Sequence, residues 1–312
     1  MPVFIVDKPL GHSSHDVVAK ARKLLKTRAV GHAGTLDPLA TGVLVILSGE
    51  ATKLSPFLTE SEKHYLAWVS FGASTPTLDA EGPIAETADA SSLTLEKITG
   101  ALPAFLELKE QIPPQYSAIK KEGIKGYEAA RKGQSLDLPP RPAAYYDIQL
   151  LDFKETRAAL PQHFSLAPEG HWKANARGIS FDLSATLGDY PSALIYLRVK
   201  AGTYIRAFAR DLGDALGFPA HLSGLVRTRA GQAGLEQAIA LEDLTPAKSL
   251  SMTDLLSYPL FELSNEDVAR VQQGQRLPIN QEGRFGLISK NKELVAIAET
   301  IDGRMKLLRV WA

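Results

Sequence analysis

The sequence predicts an α+β protein in which one mixed, largely antiparallel sheet is flanked by helices and followed by a small β domain. Three observations lead to this fold class. Strand-like and helix-like segments mix without a regular βαβ rhythm, which disfavours a doubly wound parallel sheet. The chain has 312 residues, and at roughly 150 residues per domain this length predicts two domains. After about Ser251 the pattern changes to one helix and three short strands, as in small β-barrels.

The change of pattern near Ser251 places the domain boundary. Residues 265–273 have helical spacing, and residues 285–289, 294–299 and 305–311 are strand-like runs separated by short turns. Such a hairpin meander is typical of a compact β domain. We therefore set the boundary between about 245 and 258. The predicted domains are a larger one over residues 1–251 and a small, barrel-like one over residues 255–312.

The N-terminal region begins with a short strand at residues 3–6 and a well-capped helix. Ser13 and Asp16 have the spacing of a capping box, and apolar residues follow at intervals of three and four. The outer face of this helix carries a run of cations, Lys20, Arg22, Lys23 and Lys26, with Arg28 just beyond. A solvated charged face and a phosphate-binding surface are both compatible with this run.

The stretch GHAGTLDPLATGVLVIL, residues 31–47, places an aspartate on a stiff loop ahead of a buried strand. Residues 43–47 are apolar and short, as in a strand covered on both faces. Pro38 restricts Asp37 to an extended conformation. The Asp37 carboxylate is therefore a candidate nucleophile or base held in one place. The alternative is an aspartate that closes a turn by bonding to its own backbone.

The middle of the chain predicts further strands around an irregular segment. Residues 65–71 alternate in polarity as in a half-buried strand. Residues 115–142 have no strong period and are rich in lysine and arginine, which indicates a basic excursion between strands. Residues 179–185 and 194–201 are predicted as strands joined by a polar turn.

A second candidate constellation follows the last of these strands. Gly202 turns the chain, Tyr204 and Arg206 come next, and residues 205–216 are predicted as a helix with Arg210 one turn beyond Arg206. Arg206 is either a helix-surface cation or the counter-ion of a carboxylate. In the second case its guanidinium fork would orient the carboxylate and keep it ionised.

Several chemistries are excluded or disfavoured by composition and motif. The chain has no cysteine, which excludes disulfides, thiolate catalysis and cysteine metal sites. His12, His15 and His32 occur without an HExxH motif, so we predict no metal site. The phosphate-binding GxxxxGK[ST] and the serine-nucleophile GxSxG motifs are absent. No apolar run reaches the roughly 18 residues of a membrane span, and the N-terminus lacks a signal-peptide pattern. We expect a cytoplasmic protein.

The segment GHAGTLDPLATGVL resembles the catalytic-aspartate motif of the tRNA pseudouridine synthases that modify uridine 55 in the T loop. Further segments match this family in the same order: VDKPLGHSSHDVV, EKHYLAWVSFG, PPQYSAIKKEGIKGYEAARKGQ, KAGTYIRAFARDLGDALG and HLSGLVRTRAG. The resemblance runs from residue 3 to about 244, and the tail is similar to the RNA-binding PUA domain. Residues 153–178 are longer than is usual in the family. Residues 75–79 lack the acidic residue that the family tends to have before the threonine.

The resemblance implies a cofactor-independent isomerisation in which the uracil N1–C1′ bond breaks and a C5–C1′ bond forms. Asp37 would be the nucleophile, attacking either the ribose C1′ or the uracil C6, and Arg206 would be its counter-charge. Tyr65 would stack on the uracil and accept the proton from carbon. Tyr204 would bond to the base edge, and Leu225 would form a wall of the pocket.

The resemblance also implies an RNA-binding surface. The target base would be flipped out of the T arm, with His32 filling the vacated space and Lys8 contributing to the site. The helix cations and residues 115–141 would contact phosphates. The predicted backbone contacts are Lys20, Arg22, Lys23, Lys26, Lys120, Lys121, Lys125 and Arg141. The C-terminal domain would meet the acceptor end of the tRNA, and we expect a monomer without an obligate protein partner.

Two other functions fit parts of this pattern. A non-catalytic RNA-binding module would retain the basic segments but has no use for Asp37 together with Arg206. A base-excising glycosidase would normally need a second carboxylate as its acid, and none is evident in these motifs. The formal net charge is zero, so any attraction to a polyanion must come from local surfaces.

Overall fold

The computed structural model describes residues 2–117, 119–121, 124–126 and 136–311, with the backbone alone at residues 120, 121, 124 and 125. The α-helices are α1 (Ser14–Leu24), α2 (Ser55–Thr59), α3 (Leu95–Ala101), α4 (Pro103–Leu106), α5 (Ile205–Leu216) and α6 (Asn265–Gln272). Short 3-10 helices span Gly49–Leu54, Arg157–Ala159, Leu235–Gln237, Leu241–Asp243, Pro246–Lys248 and Met252–Leu255.

The strands follow the chain from the N-terminus to the C-terminal sheet. The first eleven are β1 (Val3–Lys8), β2 (Val30–Ala33), β3 (Ala40–Ser48), β4 (Lys63–Phe71), β5 (Ala73–Ser74), β6 (Glu86–Thr87), β7 (Glu110–Gln111), β8 (Lys120–Lys121), β9 (Ile124–Lys125), β10 (Arg141–Pro142) and β11 (Tyr145–Lys154). The others are β12 (His163–Leu166), β13 (Trp172–Ala174), β14 (Ile179–Ser180), β15 (Ser192–Val199), β16 (Ala220–Ala230), β17 (Ala233–Gly234), β18 (Ile239–Ala240), β19 (Leu260–Glu262), β20 (Gly283–Ile288), β21 (Leu294–Ile301) and β22 (Arg304–Val310).

The main sheet has the strand order β11-β15-β4-β16-β3-β1-β18, with β2 beside β3 and β17 beside β16. Its ladders are antiparallel except for β16 with β3 and β1 with β18, which are parallel. The predicted α+β class and the mixed, largely antiparallel sheet are confirmed.

Helix ends confirm the local sequence signals. Ser13 caps α1, with its hydroxyl accepting from the Asp16 amide and the Asp16 carboxylate accepting from the Ser13 amide. Helix α5 has the predicted bounds and ends at Gly217, whose φ of 80° is left-handed. A glycine adopts this conformation without the steric cost that a Cβ brings.

Strand β4 is buried along its whole length, so the prediction of a half-buried strand is wrong. It lies between β15 and β16 in the middle of the sheet. On one face Tyr65 and Ala67 pack with α5, while on the other Leu66 and Trp68 join a second core. The alternation therefore separates two covered faces rather than a core from solvent.

The back face of the sheet, around Trp68, is covered by the unusually long segment after β11. Strands β12, β13 and β14 form a small sheet of their own. Phe164 and Trp172 enter the core with Trp68, and the Trp68 and Phe164 rings meet edge to face at 5.8 Å. A bulge at Ser223 in β16 leaves its carbonyl free to accept from Arg157. The segment therefore has a packing role.

This arrangement corrects one predicted element. Residues 179–185 do not form a strand paired with β15. Only Ile179–Ser180 is a strand, and it pairs with β12. The apolar residues beyond it, Phe181 and Leu183, pack on the back-face core instead. Their alternation reflects this packing and not a ladder.

The C-terminal residues form an open sheet in the order β19-β20-β21-β22. Helix α6 lies between β19 and β20 in the chain. The helix and the three later strands match the prediction, and β19, which pairs in parallel with β20, was not predicted. One face of the sheet has its own core around Phe285. From the other face Trp311 reaches the core of the main sheet, and its indole nitrogen donates to the Glu50 carbonyl at 3.0 Å.

Candidate active site

A cavity of about 380 Å³ lies on the front face of the main sheet, between the loop joining β2 to β3 and the start of α5. Its volume is in the range of small-molecule sites. The lining residues include six that the sequence singled out: His32, Asp37, Tyr65, Tyr204, Arg206 and Leu225. Segments that are far apart in the chain therefore supply one site.

The loop that carries Asp37 is held on both sides of that residue. The Ser14 hydroxyl accepts from the Leu36 amide at 2.8 Å and donates to the Leu36 carbonyl at 3.0 Å. The Gly11 amide donates to the Pro38 carbonyl at 2.9 Å. The turn itself is closed by backbone, from the Ala40 amide to the Asp37 carbonyl at 3.1 Å. The Asp37 carboxylate is therefore not needed to close the turn.

Lys8 lies beneath this loop and is not among the residues that line the cavity. It is fully buried, and its ammonium donates to the carbonyls of Pro9, His12 and Pro38. Burial lowers the pKa of Lys8 to about 8. Its hydrogen bond to the Pro38 carbonyl ties the loop to β1.

Arg206 and Asp37 form an ion pair, with the Arg206 Nε 2.8 Å from the Asp37 Oδ2. The prediction that the guanidinium fork orients the carboxylate through a bidentate contact is wrong, because the terminal nitrogens of Arg206 have other partners. Nη1 donates to the Thr77 carbonyl and Nη2 to the Tyr116 carbonyl, both at 3.0 Å. Arg206 is thus held by backbone and presents its Nε to the carboxylate.

Asp79 is a second carboxylate at this arginine, and the sequence motifs did not reveal it. Its side chain is 3% exposed and its Oδ2 lies 3.7 Å from the Arg206 Nε. The other oxygen accepts from the Thr77 hydroxyl at 2.6 Å and from the Glu81 amide at 3.1 Å. Burial raises the pKa of Asp79. The turn at residues 75–79, noted only as a local departure, therefore reaches the site.

Two buried cations of the cavity were also missed. Arg227 donates to the carbonyls of Val43, Thr35 and Gly34 at 2.7, 3.0 and 3.2 Å, which ties the aspartate loop to β16. Lys63 donates to the carbonyls that end α2, including Thr59 at 3.0 Å. Burial, together with the charge of Arg227, lowers the pKa of Lys63 to about 7.

A close backbone approach supports the same loop. Gly42 has φ of 92°, and a Cβ there would lie 2.3 Å from the Arg227 carbonyl oxygen. Its amide donates to the Asp7 carboxylate at 3.0 Å. A side chain at residue 42 would push β3 away from β16, which together hold the aspartate loop and Arg227.

The predicted RNA-contacting cations lie in several environments. Lys20 pairs with Glu242, an acid from a distant part of the chain, while Lys23 and Lys26 are exposed. Arg22 donates to the Val30 carbonyl at 3.1 Å, and Arg141 is exposed on β10. The side chains of Lys120, Lys121 and Lys125 lie outside the described residues.

Neither a metal site nor a membrane span is found in the described part of the chain. No group of histidine, aspartate and glutamate side chains there could hold a metal ion. None of the described helices is long and apolar enough to cross a membrane.

Two solved structures have the same fold. The chain is similar to a chain of a Cbf5-Nop10-Gar1 complex, with a TM-score of 0.68, 23% identity and coverage of 100% of this chain and 84% of that one. A chain of an H/ACA RNP bound to a substrate RNA gives a TM-score of 0.64 at 23% identity, covering 96% and 78%. These two chains therefore share the fold of this chain.

Sequence comparisons give the particular family. The family model described as "TruB family pseudouridylate synthase (N terminal domain)" matches residues 22–166. The "tRNA pseudouridine synthase B" of Thermus thermophilus is 51% identical over 312 residues, covering 100% of this chain and 99% of the relative. That of Deinococcus radiodurans is 45% identical with full coverage of both. The chain belongs to the TruB family of pseudouridylate synthases, which are cofactor-independent isomerases.

Proposed function

We propose that this enzyme converts uridine 55 in the T loop of tRNA to pseudouridine, with Asp37 as the nucleophile acting on a flipped-out base. The observation that carries the proposal is the Asp37–Arg206 pair in the cavity. The arginine is 6% exposed and bonded to backbone, whereas the carboxylate is 43% exposed and open to a ligand. The curated relatives that match over the full length are named for tRNA.

The pair suits a nucleophile that must act in a closed site. Bound RNA would exclude water from Asp37, and the fixed Arg206 charge would then stabilise the carboxylate without reorganising. Asp37 attacks either the ribose C1′ or the uracil C6. In both cases the N1–C1′ bond breaks, the C5–C1′ bond forms, the bond to Asp37 breaks again, and a base transfers the proton on C5 to N1. Tyr65, on the cavity wall, is our candidate for that base.

The cavity walls fit a nucleobase. Tyr65 offers a ring for stacking, Leu225 an apolar wall and Tyr204 a hydroxyl for the base edge. Extrusion of a base from a folded arm costs a few kcal/mol, which such contacts can offset. The His32 ring meets His15 edge to face at 5.7 Å. We propose that His32 occupies the space that the flipped nucleotide leaves.

Phosphate contacts would come from the outer face of α1 and from residues 115–141. The C-terminal sheet, which we interpret as a PUA-like domain, would contact the acceptor end through exposed cations such as Arg304 and Lys306. We propose a monomer, acting in the cytoplasm where its substrate is found. The ratio of kcat/KM for full-length tRNA to that for a T-arm stem-loop measures the contribution of the acceptor end. Neutralising those cations should lower this ratio.

The decisive experiment is product analysis. The enzyme is incubated with a T-arm stem-loop RNA. After digestion, the nucleosides are separated by chromatography, which distinguishes pseudouridine from uridine although the two isomers have the same mass. Pseudouridine at position 55 is the expected product. An abasic site would indicate a glycosidase, and unchanged RNA that is nevertheless bound would indicate a non-catalytic module. An RNA with cytidine at position 55 is the matched control.

A further inference from the structure

Gln111 on β7 lies next to the site without lining the cavity. Its side-chain amide forms hydrogen bonds with the backbone of Tyr204, a residue of the site. Gln111 is 4% exposed. Its Oε1 accepts from the Tyr204 amide, and its Nε2 donates to the Tyr204 carbonyl at 3.3 Å. Nε2 also lies 3.2 Å from the Tyr145 hydroxyl oxygen, to which it donates. Both polar groups of the Tyr204 backbone are therefore held by one side chain.

Tyr204 is the point at which the chain turns into α5. It is the N-cap residue, in an extended conformation with φ of −91° and ψ of 114°, and its side chain makes no capping bond. Its carbonyl also accepts from the Phe208 amide at 3.1 Å, the first bond of the helix. Because Arg206 is only two residues further on, the orientation of the Tyr204 backbone sets where the Arg206 side chain leaves the helix.

Two more contacts tie the same segment to α5. The Tyr116 carbonyl accepts from Arg206 Nη2 at 3.0 Å, and the Ile112 carbonyl accepts from Arg210 Nη2 at 2.9 Å. Residues 111–117 therefore run along the start of α5. In this run the Gln111 contact is made by a side chain, so it can be tested by substitution.

We propose that Gln111 is a positioning residue, whose amide fixes the Tyr204 backbone and thereby aims Arg206 at Asp37. The inference rests on the proposed function, because it assigns Gln111 a part in the same reaction. Displacement of a catalytic group by about 1 Å can cost roughly a hundredfold in rate. The loss should therefore fall on kcat and leave RNA binding largely intact.

The first test is Gln111→Met, which keeps the length of the side chain and removes both bonds to Tyr204. We expect kcat on the T-arm stem-loop to fall by about tenfold or more, with KM changed by less than about threefold. Gln115→Met is the matched control. Gln115 makes the same two-bond contact with the backbone of Leu136, at 2.7 and 2.9 Å, and not with α5. Its substitution should act mainly on KM.

The second test uses a pH profile, which also serves if Gln111→Met is too unstable to assay. In Gln111→Glu an ionised carboxylate faces the Tyr204 carbonyl and repels it, whereas the protonated acid can donate to it again. Burial raises the pKa of a carboxyl group, and the charges nearby are Arg141 on β10 with Arg206, Arg210 and Asp211 on α5. Tyr145 on β11 also faces this group, and burial raises its pKa, so its hydroxyl stays neutral.

The expected result is that the activity of Gln111→Glu, relative to wild type at each pH, increases as pH falls from about 8 to 5.5. A flat ratio would overturn the donor role of the amide. A wild-type kcat in folded Gln111→Met would overturn the inference as a whole. Both comparisons require that the wild-type enzyme makes pseudouridine, so failure of the proposed function is seen separately, in the wild-type assay.

Discussion

The Nε of Arg206 lies 2.8 Å from the Oδ2 of Asp37, and these two residues differ sharply in how they are held. Arg206 is buried and bonded through both terminal nitrogens to backbone carbonyls. The carboxylate of Asp37 is 43% exposed and lines the cavity. The cation is therefore part of the rigid site, while the carboxylate remains available for reaction.

The Asp37→Asn variant should lose pseudouridine formation while still binding RNA. The amide has the shape of the carboxylate but is not a nucleophile, and the loop is held by backbone and by Ser14. Product formation and RNA affinity are measured on the same preparation. Clear residual turnover in the purified variant would remove Asp37 from the role of nucleophile.

The Arg206→Lys variant should lose activity by about a hundredfold or more. Lysine keeps the charge, but its single ammonium cannot bond to the carbonyls of Thr77 and Tyr116 and also contact Asp37. The matched control is Arg210→Lys, one turn further along α5. Activity close to wild type in Arg206→Lys would show that charge alone is sufficient.

The salt dependence of RNA binding should show whether the cations on the outer face of α1 contact RNA phosphates. Neutralising Lys20, Lys23 and Lys26 by substitution with glutamine should weaken binding. The slope of log affinity against log salt should become shallower by roughly 0.7–0.9 for each RNA phosphate that the variant no longer neutralises. We expect a small share from Lys20, because it already pairs with Glu242. Lys173→Gln, on the back-face segment, is the control; an unchanged slope in the α1 variant would place the RNA elsewhere.

The Trp311→Ala variant should be strongly destabilised. Trp311 is buried in the core shared with the main sheet, and such truncations cost about 3–5 kcal/mol. Arg309→Ala, exposed on β22 two residues before Trp311, should change the free energy of unfolding by about 0.5 kcal/mol or less. Urea unfolding of the full chain compares the two. Equal stabilities would mean that the C-terminal sheet does not support the main sheet.

Stability should fall on mild acidification because of His221. This histidine is 1% exposed, and one ring nitrogen lies 2.8 Å from the Ala73 carbonyl oxygen. Burial lowers its pKa below the usual 6.5. Below pH 6.5 the unfolded chain therefore binds a proton that the folded chain resists, and the free energy of unfolding decreases by up to about 1.4 kcal/mol per pH unit.

The measurement for this prediction is the free energy of unfolding between pH 7.5 and 5.5. In His221→Gln the decrease with falling pH should be smaller than in wild type. The pH dependence that remains in the variant should come from His32 and His64, because burial lowers their pKa values as well. An identical slope in wild type and variant would contradict the assignment to His221.

Much of the fold could be predicted because its signals are local. The capping box of α1, the bounds of α5 and the strands of the C-terminal sheet each depend on residues a few positions apart. The predictions for β4 and for residues 179–185 were wrong for one reason. Alternating polarity does not tell a strand which layer will cover its second face, and here that layer comes from a distant segment.

The sequence by itself determined that Asp37 sits on a stiff loop, that Arg206 begins a helix, and that the chain resembles a family in which both belong to one site. The tertiary structure alone decided that the pair meets through Nε, that Asp79 lies behind the arginine, and that Arg227, Lys63 and Gln111 support the surrounding backbone. Except for the contact of Lys63 with Thr59, these contacts join positions that are remote along the chain, often to backbone carbonyls. Since every residue has a carbonyl, no side-chain pattern in the sequence marks such partners before the strands are paired.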